Sequence, residues 1–164
     1  MRSTVPRPPA GQHDEVSWLP EDFEHPTNVD LPTGHRLRPI RATDIDIDFP
    51  AVMGSQARLW SIFGELWGWP PAGMTRDHDL EDLARHEREI EAHESFNYAV
   101  LTADGTELKG CVYIDPCEDG SCDALVTWWV TDDAVGTDLE SALDELVPHW
   151  MATAWPFRDV RYGL

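Results

Sequence analysis

The chain is nearly devoid of lysine. Lys109 is the only one in 164 residues, and residues 110–157 hold ten carboxylates with no lysine or arginine. Over the whole sequence 31 acidic residues face 12 basic ones, a formal net charge of −19. A chain so poor in clustered cations is not built to hold nucleic acid or an anionic membrane surface, whose phosphates are gripped mainly by lysine and arginine. Long apolar runs are missing too. None approaches the roughly 18 residues of a spanning helix, and residues 1–12 lack the apolar stretch of a signal peptide. No membrane partner is expected, and a cytoplasmic location is. Cysteine is scarce: Cys111, Cys117 and Cys122 cannot all pair, and without a secretory signal they read as reduced thiols. Cys111, inside a strand-like stretch, reads as a small core residue.

Metal and nucleotide signatures are absent as well. Cys117 and Cys122 bracket a turn, but no second pair follows at ligand spacing, so no metal is expected. His86 and His93 are seven apart on one predicted helix face, and with Glu87 and Glu94 beside them they fit a solvated charged surface. There is no HExxH, Walker loop, GxSxG elbow or dinucleotide GxGxxG.

What is present suits one α/β domain with a real core and a tail. Residues 1–34 carry Pro6, Pro8, Pro9, Pro20, Pro26 and Pro32 without a sustained period and read as a proline-rich arm, leaving 35–164 as the domain. Trp18, Leu19 and Phe23 would hold that arm against the domain or a partner. HRLRPI at 35–40 alternates like a half-exposed strand, and Ala42, Thr43 and Asp44 then offer capping chemistry. Apolar positions from 49 to 66 fit one interrupted helix or two short ones, and 64–73, with Trp67, Trp69, Pro70 and Pro71, reads as a loop. A charged surface helix over 77–93 turns Leu80, Leu83, Glu87 and Ile90 to one side. Strands at 96–102 and 107–115 flank Asp104-Gly105, the strongest short hairpin signal available.

The apolar run at 123–131, with Leu125, Val126, Trp128, Trp129 and Val130, predicts a strand in mid-sheet. A helix begins near Thr137, which stands in capping-box spacing with Glu140. Its apolar positions recur at three and four through Ala154, so it packs hard on the sheet. Pro148 inside it should kink the helix or end it early. A last strand at 157–162 then completes a right-handed parallel crossover. A strand leading by a short loop into a helix offers unpaired N–H groups and a positive dipole end, a grip for phosphate. Here that grip is ringed by Asp132, Asp133, Asp138 and Glu140.

This order of elements resembles the GNAT superfamily of N-acetyltransferases over about 35–162. HRLRPIRATDID is similar to that family's opening strand and first helix, FNYAVLTADGTELKGCVYIDP to its second and third strands. ALVTWWVTDDAVGTDLESALDELVPHW is similar to its fourth strand, acyl-CoA loop and third helix. The resemblance implies a mixed α/β sheet, splayed between the strands at 123–131 and 157–162, without the family's usual last helix and two strands. It implies acetyl-CoA as co-substrate and a small-molecule amine as acceptor. By position, Trp129, Val130 and Thr131 would meet the pantetheine arm, and Val135, Gly136, Thr137, Asp138, Leu139 and Glu140 would wrap the pyrophosphate. Gly136 is the one glycine kept from the family's loop pattern. Asp138 stands where a second glycine is expected and Glu140 where Gly or Ala is, and both also suit a helix N-terminus as favourable charges. Trp60, Trp67 and Trp69 would line the acceptor side or pack as core. The cleft side that the family closes with its later elements would fall to the proline-rich arm or, at the short C-terminal edge, to a second copy in a homodimer. Asp115, Asp123 and Glu94 are all candidates for a general base, and no catalytic residue is assigned. The other reading of the same residues is a binding or dimerisation module of this fold that has lost acetyl-CoA affinity.

Overall fold

The computed structural model of the chain describes residues 17–164. Of the predicted arm, Pro6, Pro8 and Pro9 lie outside the described residues. Its described part, residues 17–34, lies on the domain. Leu19 and Leu31 are buried, Trp18 stacks on Phe157 at 5.4 Å and donates Nε1–H to the Asp123 carbonyl at 2.7 Å, and β1 (Val29–Asp30) pairs with β2 (Arg36–Pro39).

Among the described residues six strands follow chain order in one sheet, with β3 (Phe96–Leu101), β4 (Leu108–Asp115), β5 (Ala124–Val130) and β6 (Val160–Tyr162) completing it. All neighbours are antiparallel except β5 and β6, which run parallel as the crossover predicts. The hairpin forms where Asp104-Gly105 places it, with Gly105 at φ +71° and Asp104 accepting from the Thr106 N–H. Every residue of β3 is buried, which puts that strand at the centre of the core.

Among the described residues four α-helices cover the two faces. α1 (Ile45–Gly54), α2 (Gln56–Trp67) and α3 (Arg76–Glu91) lie on the face that carries Cys111, Tyr113, Thr127 and Trp129. α4 (Asp138–Ala154) covers the other, where Trp150 meets Tyr98 at 4.8 Å. The β2–α1 junction is set by Asp44, whose carboxylate accepts both Arg38 guanidinium nitrogens and the Arg41 N–H at 2.7–2.8 Å. α1 and α2 are the two short helices of the sequence reading. α2 runs to Trp67, inside the stretch expected to be loop, and Gly68 at φ +61° ends it.

Several expectations are corrected. The inward stripe of α3 is Asp79, Leu83 and Ile90, with Glu87 exposed. Asp79 is only 2 % exposed and faces Asp48 of α1, 3 % exposed. Burial raises the pKa of both carboxyls, and the hydrogen bond between them lets one proton serve the pair. His93 lies beyond α3 at φ 55° and shares a hydrogen bond with His25 at 3.1 Å, so it shares no helix face with His86. Of the two outcomes expected at Pro148, the early end does not occur: α4 runs on to Ala154, with Leu143, Val147, Trp150 and Met151 anchoring it on both sides of the proline. Cys117 and Cys122, expected as reduced thiols, are joined as a disulfide across the β4–β5 connection, with Cα atoms 5.4 Å apart. Cys111 is the free, buried core thiol of the sequence reading. Among the described residues no helix is long and apolar enough to cross a membrane.

Candidate functional site

β5 is paired from Leu125 to its end on one side and only over its first three residues on the other. With β4 the register runs from Leu125 opposite Asp115 to Val130 opposite Gly110. With β6 it covers only Ala124, Val126 and the residue between them. Main-chain polar groups of a strand point alternately to its two edges. The Thr131 N–H bonds the Lys109 carbonyl on the β4 side, and the Val126 carbonyl accepts from Gly163 on the β6 side. Trp128 and Val130 therefore turn their N–H and C=O groups to the side where β6 has ended. Of the three residues expected to meet a pantetheine arm, Val130 faces this open edge, while Trp129 and Thr131 turn their main chain to β4. Trp128, which the sequence reading left out, faces it as well.

The close approach of β4 to β5 here needs glycine. A Cβ at Gly110 would lie 2.1 Å from the Trp129 carbonyl oxygen, which only a residue without a side chain avoids. The Trp128 side chain is held aside by its Nε1–H bond to Asp144 of α4 at 2.9 Å and by edge contact with Tyr162.

Above the open edge the chain makes a 3-10 turn at Asp132–Ala134 and enters α4. The expected capping box does not form. Thr137 donates its hydroxyl to the Ala134 carbonyl, and no side chain caps the first turn of α4. Gly136, at φ +76°, turns its N–H toward α4, where the Glu140 carboxylate accepts it at 3.2 Å. Glu140 thus bonds a main-chain N–H that a phosphate oxygen could otherwise take. Leu139 is buried in the core, whereas Val135, Thr137 and Asp138 are exposed.

The carboxylates of this turn are largely matched by cations from outside residues 110–157. Arg58 of α2 bonds Asp132 through Nε at 2.6 Å and donates a second guanidinium N–H to the Val130 carbonyl. Lys109 bonds Asp133 at 3.0 Å. The Thr131 hydroxyl, with Lys109, holds the Asp133 carboxyl below its ordinary pKa, and Lys109 is raised in turn by Asp133. Ser55 caps the turn from below by accepting the Asp132 N–H at 2.9 Å. The Lys109–Asp133 pair also separates two open clefts, of about 370 Å³ against α1 and about 440 Å³ against Thr33, His35 and the start of α4.

The three tryptophans expected on the acceptor side do not form one cluster. Trp67 stacks on Phe63 at 4.8 Å and meets Tyr113 edge-on at 5.4 Å. Trp69 approaches Trp129 at 6.3 Å, and Trp129 donates Nε1–H to the Tyr113 hydroxyl at 2.8 Å. Trp67 and Trp69 thus build an aromatic wall that reaches β5 through Trp129. Trp60 leans over Gly64 with 44 % of its surface exposed, beside Ile62 and Leu66, both exposed.

The candidate bases sit away from the open edge. Asp115 pairs with Leu125, about 10 Å along β5 from Trp128 at the usual rise per residue. Burial raises its pKa, and it accepts the Ser95 hydroxyl. Asp123 accepts the N–H groups of Arg158 and Asp159, which fixes the turn into β6 and lowers its pKa. Glu94 is exposed.

No family model and no curated protein matches the chain. Solved structures do. The ribosomal-protein-S5-alanine acetyltransferase of Vibrio fischeri superposes with a TM-score of 0.65 at 13 % identity, covering 84 % of this chain and 73 % of its own. Spermidine N-acetyltransferase of Vibrio cholerae, solved with CoA and spermine, gives 0.58 at 15 % identity, covering 79 % and 70 %. RimJ of Mycobacterium smegmatis, in complex with CoA-disulfide, gives 0.57 at 19 % identity, covering 82 % and 65 %. At these identities the likeness establishes architecture: the chain has the fold of the GNAT acetyltransferases.

Proposed function

We propose that this chain transfers an acyl group, acetyl in the first instance, from a coenzyme A thioester to a primary amine. The observation that carries the reading is the open edge of β5, where the N–H and C=O of Trp128 and the N–H of Val130 stand beside a parallel partner that has ended. An extended amide-bearing arm pairs with such an edge as an added strand would. The uncapped first turn of α4 lies at the end of that edge, as a phosphate grip requires.

When bound, acetyl-CoA supplies an activated carbonyl with a thiolate leaving group. The lone pair of the neutral amine forms the new C–N bond and the C–S bond breaks. The amine proton leaves, and the products are an amide and a free thiol. The chain's part is placement: the edge fixes the thioester, and a β5 main-chain N–H aimed at the carbonyl oxygen stabilises the charge that develops there. A chain with net charge −19 draws protonated amines toward it. The wall of Trp67 and Trp69 offers faces on which such a cation or its apolar chain can rest. A small amine is therefore the acceptor class we propose.

One pair of observations favours the second reading, a binding module of this fold. Glu140 occupies the Gly136 N–H and Arg58 occupies the Val130 carbonyl, so two of the groups a thioester cofactor would use are already bonded within the chain. Thermal unfolding with acetyl-CoA at low and high salt separates the readings, because a ligand that binds only the folded chain raises its stability. The transferase predicts a midpoint that climbs with ligand concentration. A midpoint unmoved by millimolar acetyl-CoA at both salts supports the module.

A further inference from the structure

The turn between β5 and α4 has no cation of its own, yet a guanidinium stands beside it. Arg58 reaches the loop from α2, 74 residues earlier in sequence than Asp132. It bridges the last carbonyl of the open β5 edge, that of Val130, and the first carboxylate of the turn, Asp132. This is where a pantetheine arm lying along β5 would pass into its diphosphate. Two donors are in use in this arrangement, Nε and one terminal N–H, and a guanidinium carries five in a fixed fork. Its side chain keeps 30 % of its surface exposed, and Asp132 keeps 53 %. The Arg58–Asp132 pair is thus solvent-facing on both sides, the kind whose net worth is small and whose partners exchange readily. Lys109, the other cation at this turn, is engaged by Asp133 and Glu107 on the β4 side.

Taking the acyl-CoA reading above as its basis, we propose that Arg58 is the diphosphate-binding cation of this chain, supplied by α2 in place of a loop residue, with Asp132 as the internal anion that holds it in position until the ligand arrives. A diphosphate offers a stronger, bidentate acceptor than a single half-exposed carboxylate. On binding, the guanidinium keeps its hold on the Val130 carbonyl and exchanges Asp132 for phosphate oxygens. No bond is made or broken in this step apart from hydrogen bonds.

The test is calorimetric titration of the full chain with two probes, coenzyme A and pantetheine, which carries the arm but no diphosphate. Replacing Arg58→Gln is expected to weaken coenzyme A by about tenfold or more, as loss of a charge-assisted bidentate contact does. It should leave pantetheine within about twofold and flatten the salt dependence of coenzyme A binding. Asp132→Asn keeps the arginine and removes its internal competitor, so coenzyme A should bind more tightly. This second variant guards against a misfolded first one, and thermal midpoints of both are measured beside the titrations. Equal losses for both probes in Arg58→Gln, no loss for either, or weaker coenzyme A binding in Asp132→Asn would each overturn the assignment and leave Arg58 as a tie between α2 and the turn. If the unaltered chain binds pantetheine but not coenzyme A, the diphosphate role falls while the open-edge reading stands. If it binds neither, the acyl-CoA reading itself falls and the proposal with it.

Discussion

The carboxylate of Glu140 accepts the main-chain N–H of Gly136 at 3.2 Å. A side chain of the first turn of α4 thereby fills the place of a ligand anion, at the start of a helix where negative charge is favoured. The same residue therefore stabilises the folded chain and competes with any phosphate. Glu140→Ala should separate the two effects. Stability should fall by about 0.5 kcal/mol through loss of a favourable charge at a helix start. Coenzyme A affinity should rise, by about 1 kcal/mol or more if the carboxylate stands ~6 Å from a phosphate at an effective dielectric of 20 to 80. Urea unfolding and calorimetric titration of one preparation check both signs.

Asp48 and Asp79 make a second prediction, independent of any ligand. Burial, then the hydrogen bond between them, lifts Asp48 well above the carboxylate range, with Asp44 and Asp82 adding repulsion. Burial also raises Asp79, against the pull of Asp48 and His86. Cys111 and Tyr113 face the pair from β4 as buried neutral groups. A carboxyl whose folded pKa lies above its unfolded value stabilises fully below the unfolded pKa, and that contribution is lost as pH rises through the folded pKa. The unaltered chain should lose stability from this pair as pH rises above the ordinary carboxylate range. Asp48→Asn keeps the donor to Asp79 but cannot ionise, so it should be more stable than the parent at pH 8 and closer to it at pH 4. Urea midpoints at several pH values give the comparison, and a parent-minus-variant difference constant with pH would contradict the shared proton.

Gly110 lies opposite Val130, and a side chain there would press on the Trp129 carbonyl. Main chain cannot move aside as a flexible side chain can. Gly110→Ala should cost about 1–3 kcal/mol, the range of overpacking in a tight interior. Its denaturant midpoint should fall with an unchanged slope.

Much of the architecture was legible because neighbouring residues dictate it. Asp104-Gly105 fixes the hairpin, the Leu125–Val130 apolar run marks a central strand, and the spacing of Leu139, Leu143, Val147 and Met151 writes a helix whatever Pro148 removes. The candidate site was legible only where it is contiguous. Arg58 of α2 and Ser55, at the junction of α1 and α2, join the turn from 74 and 77 residues away from Asp132, and no local pattern encodes a contact of that span. Thr137 and Glu140 have the spacing of a reciprocal cap, yet the positive φ of Gly136 turns a different N–H toward Glu140. Asp79 was read as part of a charged surface because its residue type says so. Only the facing Asp48, sharing a proton across two helices, makes its burial tolerable.

The central claim is that the half of β5 beyond Val126 keeps main-chain groups free for an extended thioester ligand. Amide hydrogen exchange at Trp128 and Val130, followed with and without saturating acetyl-CoA, tests it directly. The account predicts that both amides exchange faster than that of Thr131, which is bonded to Lys109, and that both slow when the ligand is added. Amides already protected in the free chain, or unchanged exchange at saturation, would contradict it.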